Sequence, residues 1–372
     1  MNFHPKDYIL NIKGWHTRKK IVVIHSDDWG SIRMPSLSVR EKLQSCSDVR
    51  FNNAYTKYDT LASAEDLEIL FESLSSVKDQ FGKSAVLTAN SLIANPDFEK
   101  IKENDFQTYH YEHFSKTFKR YNNEKALTLW KEGLNDGIFV PQYHGREHVN
   151  PVLWLEMLRE NHSGVREAFD HGTFGLSFRN LKYDQWNLQR AWDVLAPDSE
   201  EEIKNSITDG LKMFKAYFGF KSLSAIAPNY TWSNSQEMLL KKHGVISIQG
   251  ILRQRIVNGS EKPYSYKRRY TSNNKNSKHY LAYQRRNIFF EPSQGKVNDI
   301  VNKALSRMKI SFQMGKPAII SSHRVNFIGG LSKNNRDKNI VMFRELLKKA
   351  IKRWPDIEFM SAADLAKEMN DD

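Results

Sequence analysis

Lys20-Ile21-Val22-Val23-Ile24-His25-Ser26-Asp27-Asp28-Trp29-Gly30 is the stretch from which the rest of the chain is read. Residues 21–24 are β-branched and uniformly apolar, which predicts a short strand. Uniform rather than alternating hydrophobicity points to a strand covered on both faces, as in a parallel sheet. The run ends abruptly in a His, two adjacent carboxylates, a Trp and a Gly. Ligands gather at the C-terminal ends of strands in parallel α/β architectures, so Asp27 and Asp28 stand where chemistry is expected. Adjacent carboxylates can divide labour, one binding a cation and the other taking a proton, because each environment tunes its own pKa. For the pair alone, a polar turn with Asp27 capping a helix is the plainer alternative.

The same pattern recurs along the chain. Apolar runs at 84–90, 138–143, 222–227, 245–252, 287–292, 317–322 and 357–360 read as strands. Segments 36–46, 64–81, 123–135, 151–159, 200–218, 235–243, 299–312, 339–353 and 362–369 read as helices. Residues 173–178 read as an extra strand. Alternating strands and helices imply a parallel sheet or barrel with outer helices. About eight strands with no Pro- or Gly-rich linker favour one closed or nearly closed barrel over residues 1–372.

The 372 residues include 21 Phe, 15 Tyr and 8 Trp, enough for a sizeable core. No apolar run approaches the ~20 residues of a membrane helix. Met1 to Lys6 has no signal-peptide apolar region, so a cytoplasmic location is expected. The one cysteine, Cys46, excludes an intrachain disulfide and leaves any metal to His, Asp and Glu. The net charge of +13 favours a polyanionic partner: nucleic acid, anionic lipid or acidic polysaccharide. Residues 253–286 hold ten Lys or Arg against Glu261, interleaved with Tyr264, Tyr266, Tyr270, Tyr280 and Tyr283. No nucleic-acid motif accompanies them. With 273–278 strongly loop-like, the segment reads as a solvated loop that meets an acidic substrate rather than a nucleic-acid surface.

Three strand ends carry residues capable of chemistry: Asp27 and Asp28, then His144 and His148, then His323. The two histidines are spaced i, i+4; on a helix they would share one face, about 6 Å apart at Cβ. One Asp and two neutral imidazoles leave a coordination position open, which suits a catalytic divalent ion. His25 reads as a packed residue, and His110 and His113 as loop residues.

Together these residues resemble the polysaccharide deacetylases of the NodB-homology, carbohydrate-esterase type. Ser26-Asp27-Asp28-Trp29-Gly30 resembles that family's Asp-Asp motif, and His144-Gly145-Arg146-Glu147-His148 its His-x-x-x-His. Ala227-Pro228-Asn229-Tyr230 resembles its Pro-containing loop, and Ile320-Ser321-Ser322-His323 its last motif. Residues 359–365 resemble the closing strand and helix. The resemblance implies an α/β fold, a distorted (β/α)7-type barrel, with insertions at about 40–80, 91–135 and 253–284. It implies that Asp28, His144 and His148 hold a divalent metal, zinc above others. Asp27 would act as general base and His323 as general acid. Trp29, Arg146, Asn229, Tyr230 and Trp232 would meet the substrate, the aromatic ones by stacking on a sugar ring, with the Tyr230 backbone N–H as an oxyanion donor. Glu291, Arg324 and Asn326 would shape the pocket. Trp29 interrupts the first motif, and Ile226-Ala227 stand where the family has an Arg that orients the catalytic Asp; Arg146 and Arg286 are the candidates to replace it. The implied activity is metal-dependent removal of an acetyl group from an N-acetylated sugar or polysaccharide, with a carbohydrate, acidic in one reading, as partner. O-acetyl, formamido or cyclic-amide hydrolysis stays open. So does an inactive binder of an acidic polymer.

Overall fold

The run at 21–24 is apolar on both sides because both sides are covered. In the computed structural model, Val22 and Ile24 join the main core, packed against helices. Ile21 and Val23 face the other way, onto Ile319 and onto Leu365 and Met369 of the C-terminal helix. The structure describes residues 8–51, 53–181, 187–195, 199–257, 264–273, 281–295 and 299–371. The expectations resting on Met1 to Lys6 and on 274–278 fall outside these residues.

The main sheet comprises β1 (Lys20–Trp29), β2 (Leu87–Leu92), β3 (Phe139–Gly145), β4 (Ser224–Ile226), β5 (Ser247–Gly250), β6 (Ala282–Arg285), β7 (Ile288–Phe289), β8 (Ala318–His323) and β9 (Ile357–Met360). Its order is β6-β5-β4-β3-β2-β1-β8-β7, and every pairing is parallel. β9 pairs with the first half of β1. The two ends of this order are the halves of one broken strand. Between them the N–H of Arg286 donates to Gly250 O at 2.8 Å, and that of Asn287 to Ile319 O at 3.1 Å. The sheet thus curls back on itself through Arg286 and Asn287.

The outer helices among the described residues include α1 (Ala64–Ser75), α2 (Glu124–Asn135), α3 (Pro151–Arg159), α4 (Ser199–Phe218), α5 (Asn234–Lys242), α6 (Ile300–Gln313), α7 (Lys333–Arg353) and α8 (Ala362–Asp371). Their starts follow local chemistry: Ser63 and Asp66 form a capping box on α1, and Asn150 caps α3 ahead of Pro151. No helix among the described residues is long and apolar enough to cross a membrane.

Several expectations change. β1 runs on to Trp29 instead of stopping at Ile24, because Ser26 and Asp27 stay in register with Ser322 and His323 of β8. The helix expected over 64–81 stops at Ser75; Asp79 Oδ1 instead accepts from the N–H groups of Phe81 and Lys83 in a turn. Residues 173–178 yield only Ser177–Phe178, which pairs with Val49–Arg50 outside the barrel. The described part of the basic segment is no loose loop: Arg253–Val257 and Tyr264–Arg268 form an antiparallel hairpin. Arg269, Arg285 and Arg286 are buried.

Candidate metal centre and catalytic cleft

Two departures from regular pairing build the site. Between β1 and β2, register passes from Ser26 opposite Ala89 to Trp29 opposite Ser91, so Asp27 and Asp28 together face Asn90. Asp28 takes a φ of 73°, in the left-handed region that Asp tolerates better than most residues. Between β2 and β3, Ser91 pairs with Tyr143 and Leu92 with Gly145, which leaves His144 as the extra residue. Bulges re-aim side chains, and these two turn Asp28 and His144 toward each other. His148 lies in the loop beyond β3. No helix forms there, so strand and loop rather than an i, i+4 helical face bring the imidazoles together, with ring centroids 5.1 Å apart.

His144 Nε2 lies 3.4 Å and His148 Nε2 3.5 Å from the same oxygen, Asp28 Oδ1. The candidate ligand atoms of the three residues all fall within 4.8 Å of one another, and all three residues are buried. His144 Nδ1 lies 3.0 Å from the Ile226 carbonyl and donates to it, which aims Nε2 at the carboxylate. Burial pushes His148 down to about 3, against the pull of Asp28, so it stays neutral. Two imidazole Nε2 atoms thus converge on one carboxylate oxygen, an arrangement that a shared cation would hold together. Ligands of a tetrahedral zinc ion at ~2.1 Å sit about 3.4 Å apart, so the donor set fits such an ion.

Asp27 is held separately. Arg286 Nη1 and Nη2 donate to its two oxygens, each at 2.6 Å, and Asn90 Nδ2 donates to Oδ1 at 2.8 Å. Burial alone would raise the Asp27 pKa, but the Arg286 charge holds it well below the usual carboxylate range. Arg286 is therefore the guanidinium that orients Asp27, from the broken strand rather than from the loop before Pro228. Arg146 is not: it pairs with Glu147 at 2.5 Å, lies over the Tyr111 ring at 4.1 Å and does not border the cleft.

His323 Nε2 is 3.6 Å from Asp27 Oδ2, and its Nδ1 is 2.5 Å from Glu291 Oε1. Burial lowers its pKa, but the Glu291 charge outweighs this and lifts it to about 9. His323 is an imidazolium at neutral pH. Asn326 Nδ2 donates to Glu291 Oε2 at 2.8 Å and steadies it.

Asp28 also meets a cation that sequence reasoning missed. Arg33 Nη2 donates to Asp28 Oδ2 at 3.3 Å, and its Nε to Asp59 Oδ2 at 3.1 Å. Arg324 Nε and Nη2 donate to Asp59 at 3.1 and 3.0 Å. Burial raises the Asp59 pKa, against the pull of both arginines. Burial alone would raise the Asp28 pKa, but the Arg33 charge beside it helps hold it well below its ordinary value.

The cleft is a cavity of about 90 Å³ lined by Asp27, Asp28, Arg33, Tyr55, His144, His148, Gln189, Ile226, Ala227, Asn229, Tyr230 and His323. Asn229 and Tyr230 thus border it as expected, both with positive φ. The Tyr230 N–H is committed to Ala227 O at 3.0 Å, which removes it as an oxyanion donor. Trp29 is elsewhere, fully buried between Trp130 and Phe139 with Nε1 on Ser26 Oγ at 2.9 Å. Trp232 is also core, its Nε1 on Glu237 at 3.1 Å and its ring on Tyr283. Their nearness to the motifs in sequence misled the expectation; strand alternation and the run into α5 turn them inward. His25 is buried, as expected, with Arg286 Nε 3.3 Å from its Nδ1. His113 caps the helix Phe114–Arg120.

No protein-family model matches the sequence, and no curated protein does. Solved structures similar to the chain include Puue allantoinase, at 10% identity over 95% of this chain and 91% of that one, with a TM-score of 0.48. A probable polysaccharide deacetylase from Pseudomonas aeruginosa PAO1 is similar at 9% identity over 98% and 92%, also with a TM-score of 0.48. The 4-alpha-glucanotransferase from Thermococcus litoralis shares 11% identity over 95% of this chain, with a TM-score of 0.45; the chain spans 40% of its length.

Proposed function

We propose that this chain is a divalent-metal-dependent amide hydrolase that removes an acetyl group from an N-acetylated sugar or saccharide chain. The observation that carries the reading is the convergence of the His144 and His148 Nε2 atoms on one oxygen of Asp28, at 3.4 and 3.5 Å, beside a separately held carboxylate and an imidazolium. Asp28, His144 and His148 would hold the ion, for which zinc suits the donor set. Bound there, it would supply Lewis acidity, polarising the scissile carbonyl and easing ionisation of a water.

The chain's own residues supply the rest. Asp27, ionised and fixed by Arg286, accepts a proton from the attacking water. His323, kept charged by Glu291, gives a proton to the departing amine, which leaves poorly without one. Asn229, Tyr230, Tyr55 and Gln189 position the substrate from the cleft walls. The single barrel over the whole chain, with elaborated segments near 40–80, 91–135 and 253–284, belongs to the same proposal. Residues 30–60 support it by supplying Arg33, Tyr55 and Asp59.

Elemental analysis beside acetate-release assays on N-acetylated sugars tests the reading. About one divalent ion per chain in the wild type, none in an Asp28→Ala/His144→Ala variant, and acetate release lost with the ion are expected. No ion after reloading the wild type would overturn it in favour of a binding protein.

A further inference from the structure

Every carboxylate around this cleft already has a cation of its own. Asp27 holds Arg286 through two hydrogen bonds of 2.6 Å. Asp28 accepts from Arg33, and Asp59 from both Arg33 and Arg324. Glu291 and His323 share one proton at 2.5 Å, and the pair is neutral wherever that proton sits. Three aspartates against three arginines, with a neutral pair beside them, sum to zero before any ion binds. A proton on Asp59 would only make the sum more positive.

A divalent ion held by Asp28, His144 and His148 would therefore bring two positive charges that the surrounding protein does not offset. These groups are buried: Asp27 and Asp28 are each 3% exposed and Arg33 7%. Surplus charge in such a place is costly unless an anion joins it. A water whose proton passes to Asp27 leaves the sum unchanged, so an anionic group on the substrate is what offsets the ion.

Resting on the hydrolase reading above, we propose that the cleft takes an acidic substrate, an N-acylated sugar acid, and that Arg33 helps bind its carboxylate. Arg33 borders the cleft. Its Nε goes to Asp59, its Nη1 to Gly175 O at 2.8 Å and Gln189 Oε1 at 2.9 Å, and its Nη2 to Asp28. One Nη2 hydrogen of the five on a guanidinium is left over. The polar walls, Gln189 and Asn229, suit a hydrophilic ligand, and neither Trp29 nor Trp232 supplies an aromatic platform there. The net charge of +13 draws anions toward the protein over a longer range.

Calorimetric titration of the zinc-loaded protein with glucuronate and with glucose tests this, since the two differ in charge at one carbon and neither is hydrolysed. Glucuronate should bind at least about ten-fold more tightly, as a charge-assisted contact in a buried site predicts. The preference should fall to within about three-fold in Arg33→Met and return in part in Arg33→Lys, which keeps charge without the fork. Should Arg33→Met fail to fold, a wild-type preference that persists at high salt supports the buried contact, and one lost there assigns it to diffuse surface charge and overturns the proposal. Equal affinities, or no binding of either sugar, overturn the proposal. Zinc stoichiometry measured on the same samples separates the two claims. Full zinc without acid preference sinks only this inference, whereas absent zinc sinks the hydrolase reading.

Discussion

Replacing Arg286 by Met strips the buried Asp27 carboxylate of its cation. The two 2.6 Å hydrogen bonds disappear, and so do contacts to Gln249 Oε1 at 3.1 Å and to the Tyr230 and Ser321 hydroxyls at 3.3 Å. Breaking a buried pair by removing one partner typically costs about 3–5 kcal/mol, mostly from the charge left behind. A domain of ordinary stability, about 5–15 kcal/mol, tolerates that at 25 °C, so the variant should be isolable. The pH dependence is the sharper reading. In the wild type the folded Asp27 pKa lies below its unfolded value, so its contribution is present above that unfolded value, near 4, and fades as pH falls through the folded pKa. Without Arg286, burial dominates and the folded pKa rises above the unfolded one. Asp27 then becomes a penalty that grows as pH rises from about 4. Urea denaturation at pH 4.5 and pH 7 should show a gap between variant and wild type that is larger at pH 7. Adding Asp27→Asn to Arg286→Met should recover about 2 kcal/mol or more of the loss at pH 7. A cost below about 1 kcal/mol at both pH values, or strict additivity of the two substitutions, would refute the reasoning.

Other outcomes follow from the same geometry. His148→Ala should abolish stoichiometric metal while leaving far-UV circular dichroism unchanged; full metal content in that variant would remove His148 from the ligand set. Glu291→Gln takes away the charge that lifts His323 to about 9. The basic limb of the acetate-release profile should move toward neutrality, and activity at pH 8 should fall about ten-fold or more. The raised His323 pKa also implies that wild-type stability declines as pH rises from about 6.5 through 9, a decline Glu291→Gln should lose; an NMR titration placing His323 near 6.5 in the wild type would contradict both. Gly30→Ala combines a φ of 86° with a Cβ 2.3 Å from the Leu92 carbonyl, and should destabilise by about 2 kcal/mol or more in thermal unfolding; an unchanged Tm would show that the β1–β2 junction relaxes freely.

The strand ends were legible because strand formation is local. A β-branched apolar run that stops in Asp-Asp, and another that stops in His, declare both element and chemistry without any partner. Asn229 and Tyr230 were legible for the same reason, as the polar residues just beyond a strand. Arg286 was legible only as one of two candidates, since nothing near it in sequence says which carboxylate it meets. Arg33, Asp59 and Arg324 form a cluster whose members lie 26 and 265 positions apart, and no local pattern connects them. Trp29 and Trp232 show the opposite error: being near a motif does not decide which face of the backbone a side chain takes.

The sequence alone therefore determined the alternation of strands and helices, the absence of thiolate ligands and the residue types available at each strand end. These depend on neighbours along the chain. Only the tertiary structure decided that Asp28 and His144 turn toward each other, that the sheet returns on itself through Arg286 and Asn287, and that Asp27, Asp28 and Asp59 meet Arg286, Arg33 and Arg324. These depend on strand register and on two bulges, and a shift of one residue in either would send every side chain beyond it to the opposite face.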